Sequence, residues 1–337
     1  MEFLADYGLF FIKTITLVAA ILLTVAGVIA LSHRHKDKPE LEITKINDKF
    51  QDMADAMNNV ILNKKELREQ HKQQKKHDKE HKDDLRRRVF VLQFKGDIKA
   101  SAVDQLRDEI TAVLKVATPK DEVTLVLESA GGMVHTYGLA ASQLQRIRDK
   151  KIPLTICIDK VAASGGYLMA CVGDRINAAP FAIVGSIGVL AQIPNFHKLL
   201  KHNHIDYELI TAGEYKRTLT IFGENTDKAR RKFSEDLEDI HVLFKDFIME
   251  HRPIVDIQTV ATGEHWLGKR ALDLRLVDHL VTSDDYLLDN SQHADIYEIK
   301  MKRKEKIASK LANSMQALVT KFYHGVAQEE RESRFQS

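Results

Sequence analysis

A chain of 337 residues, 44% of them hydrophobic, can build one large domain or two small ones around a sizeable core. A formal net charge of only +2 excludes a global acidic or basic bias toward a partner such as nucleic acid. Two cysteines, Cys157 and Cys171, both in apolar runs, exclude a disulfide framework or a zinc-ligand spacing and are expected as buried thiols.

Residues 1–35 read as a membrane anchor. Between Lys13 and Arg34 lie twenty residues without a formal charge, about the length that crosses a ~30 Å hydrocarbon core. A cleaved signal peptide is the rival, but Glu2 and Asp6 precede Lys13 and the Ala30-Leu31-Ser32 cleavage candidate is weak. The span therefore meets the bilayer through residues 14–33. Arg34, Lys36 and Lys38 follow it and favour a cytoplasmic body. Residues 36–88 open with a short amphipathic piece (Ile46, Phe50, Met53, Met57, Ile61) and end in a run of mixed charges, which reads as a solvated helical stalk or linker. The run is interleaved with acids and has no aromatic residues for base stacking, so nucleic acid is not an expected partner. His71, His77 and His81 are linker histidines rather than a metal set.

From residue 89 to 290 the pattern changes to strands alternating with helices. V-F-V-L-Q-F, V-T-L-V-L and L-T-I-C-I are apolar strands separated by amphipathic helices, a pattern that predicts sheets covered by helices. The apolar stretch 178–194 invites a second membrane span, but its interior glycines and its proline predict buried strands and turns. Residues 226–252 read as a long charged helix, and G-E-H-W-L-G-K-R-A-L-D-L-R-L-V-D as a helix leading into a final strand. Residues 291–337 form a basic amphipathic tail with apolar positions at Ile307, Leu311, Met315, Leu318 and Phe322, suited to a protein interface or a membrane surface.

The stretch Ala162-Ala163-Ser164-Gly165-Gly166 encloses one hydroxyl among its smallest available neighbours, after a strand and at the start of a helix. Unpaired N–H groups there can stabilise developing negative charge. A second small-residue turn, Ser129-Ala130-Gly131-Gly132, also follows a strand, and its glycines let backbone N–H groups approach an oxyanion. Such a serine needs a base. His135 and His197 are the histidine candidates, and Lys216 in T-A-G-E-Y-K-R-T is the other, provided its amine is made neutral by an apolar setting.

The motifs L-E-S-A-G-G-M-V, D-K-V-A-A-S-G-G-Y, V-G-S-I-G-V, A-G-E-Y-K-R and T-G-E-H-W-L-G-K-R-A, in this order, resemble the signal peptide peptidase/protease IV family of membrane serine peptidases across residues 89–285. The resemblance implies a ClpP/crotonase-like superhelix of ββα units and a serine endopeptidase with a Ser-Lys dyad. Ser164 would be the nucleophile, Lys216 the general base, Ser186 the residue that orients the lysine, and Gly132 and Gly165 the oxyanion donors. It implies no metal and no cofactor, peptide or protein substrates, a ring-like homo-oligomer and a bacterial inner membrane location. Family precedent puts the catalytic domain in the periplasm, against the flanking charges, so the side stays open. Extended peptides, such as signal-peptide remnants or damaged membrane proteins, are the implied substrates. One position departs: Ala130 stands where the family usually has proline, which bears on the rigidity of the oxyanion turn. The rival readings are a Ser164–His197 hydrolase, a crotonase acting on acyl-CoA and a membrane-tethered scaffold without activity.

Overall fold

The computed structural model describes residues 11–18, 20, 40–69, 72 and 86–302. The chain divides into a unit of Glu42–Lys300 and a second comprising Met1–Leu41 and Met301–Ser337. In the second unit residues 11–18 and 20 are helical. No helix among the described residues is long and apolar enough to cross a membrane. Most of the stretch 14–33, the charged run before Arg86 with its three histidines, and the apolar tail positions from Ile307 to Phe322 lie outside the described residues.

The larger unit is a mixed α/β fold built on one ten-stranded sheet. Its main path runs β1 (Glu40–Lys45), β10 (Ala294–Lys302), β2 (Arg87–Gly96), β3 (Glu122–Ser129), β4 (Leu154–Ile158), β6 (Arg175–Ala178), β9 (His279–Leu280). A branch leaves it: β5 (Val161–Ala163) pairs with β3 and with β7 (Ile183–Gly185), and β7 pairs with β8 (His265–Leu267). All the pairings from β10 to β9 and those of β5 are parallel, while β7–β8 is antiparallel.

Parallel strands need crossovers that bury both sheet faces, which is why β2, β3 and β4 read as nearly unbroken apolar runs. The period of two sorts them cleanly. Phe90, Leu92 and Phe94 of β2 and Val123, Leu125 and Leu127 of β3 enter the main core with helices Val103–Leu114 and Val134–Asp149. Val89 and Val91 face the other way, into a second cluster with Leu287, Ala294 and Ile296. Ile46 and Phe50 from helix Ile46–Ile61 pack on that second cluster.

Two segments do more than their sequence pattern predicts. Glu40–Lys45, read as the start of a stalk, forms an edge strand, and Lys45 pairs with Asp295 at 3.1 Å. Residues 294–302, read as the start of a tail, form β10 between β1 and β2. Charged residues interrupt both: β1 has no buried residue, and β10 buries Ala294 and Ile296 on one side and Ile299 on the other, so apolar runs alone do not reveal them. The stretch 178–194 holds the end of β6, a turn at 180–181 and β7, but from Ser186 it is irregular and residues 190–194 are exposed rather than buried.

Candidate active site

β3 and β5 share a single rung, Ser129 opposite Ala162, and β5 pairs with β7 up to Ala163 opposite Gly185. The three strands therefore end together, releasing Ala130-Gly131-Gly132, Ser164 and Ser186 at one place. Sites in open α/β sheets form outside the carboxyl ends of the strands, where chains diverge in this way.

Ser164 leaves β5 with φ 51° and ψ −119° and opens helix Gly165–Ala170. Its N–H donates to the Gly185 carbonyl at 2.8 Å, and its hydroxyl makes no capping bond. Ser186 leaves β7 with φ 54°, and its N–H donates to the Glu264 carbonyl at 2.6 Å. A non-glycine residue held at positive φ costs on the order of 1–3 kcal/mol and persists where the surrounding structure enforces it. Of the two, Ser164 stands on a sharp strand-to-helix turn of the kind that can present a nucleophile.

The two glycine turns meet at this serine. A Cβ on Gly131, itself at φ +89°, would stand 2.7 Å from the Gly165 nitrogen and 2.9 Å from the Ser164 Cβ. A Cβ on Gly166 would stand 2.4 Å from the Ser129 carbonyl oxygen. At Gly131 and Gly166 the chain's own backbone approaches too closely for any side chain. Gly132 is exposed, and among the described residues its N–H has no hydrogen-bond partner.

Lys216 is placed differently. It lies in an exposed loop, its N–H donating to Gly213 at 3.2 Å, and among the described residues no hydrogen bond joins its amine to Ser164 or Ser186. The apolar setting expected around it is not supplied by the described residues. Its neighbours are anchored: Glu214 pairs with Lys228 at 2.7 Å, and Tyr215 lies under the ammonium groups of Lys228 and Lys232. Both lysines belong to helix Asp227–His251, begun by the Thr226 side chain accepting from Ala229 N–H. Neither His135 nor His197 hydrogen-bonds Ser164 among the described residues; His135 is exposed and His197 opens the short helix His197–His202.

Elsewhere the two thiols are free and buried, as expected. Burial pushes the Cys157 thiol up to about 12 and that of Cys171 higher, so neither is a thiolate nucleophile. No metal-binding group of His, Cys, Asp or Glu occurs among the described residues. Residues without a role in the sequence reading do shape the site. The Glu264 carbonyl holds the Ser186 N–H, and a Cβ on Gly185 would stand 2.8 Å from the Trp266 ring. Their signal was the G-E-H-W-L motif, whose function no spacing rule discloses.

Comparison with known proteins gives the family. The pattern described as peptidase family S49 N-terminal matches residues 2–144, and that of peptidase family S49 matches residues 146–297. The chain belongs to peptidase family S49. Within S49 it is SohB-like: it is 43% identical over 338 residues to "Probable protease SohB" of Haemophilus influenzae, covering 96% of each chain. It is 54% identical over 230 residues to the protein of the same name from Buchnera aphidicola subsp. Acyrthosiphon pisum, covering 68% of each. A membrane-bound stomatin-specific protease of known structure aligns over 68% of this chain and 99% of its own, at 16% identity and a TM-score of 0.43. That distance carries over no residue roles. S49 membership makes the chain a protease.

Proposed function

We propose that this S49 protease is a membrane-anchored serine endopeptidase with a Ser-Lys dyad. Ser164 is the nucleophile, Lys216 the general base and Ser186 the residue that orients the lysine amine. Gly132 and Gly165 donate their N–H groups to the oxyanion. The observation that carries the reading is the enforced positive φ of Ser164, at a point where both glycine turns touch it. The branching of the sheet at β3–β5–β7 supports assignment to the ClpP/crotonase-like superhelix.

In the reaction, neutral Lys216 takes the Ser164 proton as Oγ bonds to the peptide carbonyl carbon. The carbonyl oxygen takes the negative charge and is held by the two glycine amides. Collapse expels the amine, which receives the proton from the Lys216 ammonium, and water then releases the acyl group by the same steps. The reaction calls for no metal or cofactor.

Residues 14–33 anchor the enzyme in the bacterial inner membrane. Its substrates are extended peptides, such as signal-peptide remnants or damaged membrane proteins. The working form is a homo-oligomer, a ring in which a neighbouring copy covers the Lys216 loop. Support for this comes from the apolar side chains left open around that loop, with Ile210 92% and Leu190 79% exposed.

The test is peptide hydrolysis by full-length protein in detergent. Ser164→Ala and Lys216→Arg each lose activity on the order of 10³-fold or more, because guanidinium stays protonated and cannot act as base. Ser186→Ala loses less, and His197→Ala stays near wild type. An active Lys216→Arg protein beside an inactive His197→Ala protein would replace the lysine with the histidine.

A further inference from the structure

Behind the Gly132 turn lies a hydrogen-bonded chain whose direction follows from counting protons. The Tyr137 phenol is 2.8 Å from the Asp97 carbonyl oxygen, which can only accept, so the phenol donates there. Its one proton is then used. The 2.5 Å contact between Ser129 Oγ and Tyr137 Oη must be filled by the serine proton. Ser129 Oγ in turn accepts the Gly131 N–H at 3.0 Å. The chain runs one way, from amide to hydroxyl to phenol to carbonyl, and each link polarises the next. Tyr137 is 0% exposed, and burial pushes its phenol pKa up, which keeps the proton in place.

The other side of the turn is held as well. Met133 N–H donates to the Ile98 carbonyl at 2.8 Å. Both anchors therefore end on adjacent residues, Asp97 and Ile98. That segment is itself fixed, since the Asp97 carboxylate accepts from Ser101 N–H and Oγ, each at 2.8 Å. Gly131 and Met133 are pinned, and the amide between them, that of Gly132, has no hydrogen-bond partner among the described residues. The same tyrosine also backs the second donor. A Cβ on Gly165 would be 2.5 Å from the Tyr137 Cγ, so the ring lies directly against that residue.

We propose that Ser129 and Tyr137 are positioning residues that aim both oxyanion donors: the hydroxyl chain sets the Gly132 amide and the Tyr137 ring sets Gly165. This rests on the reading of Gly132 and Gly165 given above. Neither side chain needs to touch substrate. A misaimed donor weakens binding of the oxyanion and leaves binding of the uncharged substrate unchanged, so the effect falls on kcat rather than KM.

The experiment compares Tyr137→Phe and Ser129→Ala with the full-length wild-type protein. Tyr137→Phe keeps the ring against Gly165 and breaks the chain at one oxygen. Each variant is expected to lose kcat on the order of 10-fold with KM unchanged, and the double variant to be no worse than either single one, since both cut one chain. Affinity for a peptide aldehyde, whose adduct with Ser164 places an oxyanion between the two amides, falls by the same factor. Affinity for the matching peptide alcohol, which forms no adduct, does not change. Wild-type kcat and aldehyde affinity in both variants overturn the inference, and so does an equal loss for aldehyde and alcohol. If Ser129→Ala fails to fold, Tyr137→Phe decides alone. A wild-type protein that binds no aldehyde through Ser164 overturns the assignment of Ser164 as nucleophile together with this inference.

Discussion

The two halves of the proposed dyad sit on very different ground. Ser164 lies where three strands end, with its backbone bonded to β7 and backbone packed against backbone on both sides. Lys216 lies in residues 189–226, which hold only the short helix His197–His202 and knit themselves together locally. Phe196 N–H donates to Ile221 at 2.7 Å, Asn195 holds Thr220 and Gly223, and Phe196, Tyr207 and Phe222 form a small aromatic group. One half is preorganised by the sheet. The other is attached to the long helix Asp227–His251, of which only Ile248 is fully buried. A nucleophile and its donors need fixed geometry, whereas a base that must be desolvated can be completed by what covers it.

The sharpest way to break this contrast is the same substitution in both regions. Gly166→Ala sets a methyl 2.4 Å from the Ser129 carbonyl, and such overpacking is expected to cost about 3 kcal/mol, lowering Tm by roughly 6–12 °C. Gly213→Ala meets only the Lys216 Cβ, at 3.9 Å, so its cost is the strain of φ +98°, about 1 kcal/mol. Thermal melts that show equal losses would mean that the loop is as tightly packed as the turns.

A second substitution sharpens the contrast by removing the cover. Ile210→Asp or Leu190→Asp places charge on an apolar side chain that is largely exposed. We expect light scattering in mild detergent to show a smaller particle and peptidase activity to fall about 10-fold, with Tm little changed. An unchanged particle with full activity would place the interface elsewhere.

The smallest effect belongs to the far end of the sheet. Burial raises the Asp121 carboxyl, but hydrogen bonds from Arg88 at 2.6 and 2.8 Å and from Thr118 outweigh it and hold it at about 2. A carboxyl depressed in the folded state stabilises fully above its unfolded value of about 3.9 and loses that contribution as pH falls toward the folded one. Melts between pH 5 and 2 should therefore be less pH-dependent for Asp121→Asn than for wild type. Parallel curves would remove this pair from the acid response.

Much of the site was legible in the chain because glycine and alanine were grouped where strands end. Small residues grouped as in Ala162-Ala163-Ser164-Gly165-Gly166 point to close packing, and the structure shows it at the glycines: Gly166 lies against the Ser129 backbone and Gly165 against the Tyr137 ring. Tyr137 was not legible. It lies at a core position of helix Val134–Asp149, and nothing in helical periodicity separates a tyrosine that fills space from one that carries a proton chain. The departure at Ala130 has its context in the same place: with no proline ring in the turn, bonds to Ser129 Oγ and the Ile98 carbonyl hold it on either side.

By itself the sequence determined the α/β alternation, the buried strands, the two glycine turns and their likeness to a protease family. These depend on short-range rules, namely periodicity, side-chain size and φ preference, which act within a few residues. Only the tertiary structure decided that β5 leaves β3 to pair with β7, that residues 40–45 and 294–302 join the sheet, and that Ser129, Tyr137 and Asp97 share one run of protons. These depend on which distant segments lie side by side. A strand's pattern of apolar residues states which face is buried, but it does not name the neighbour that buries it.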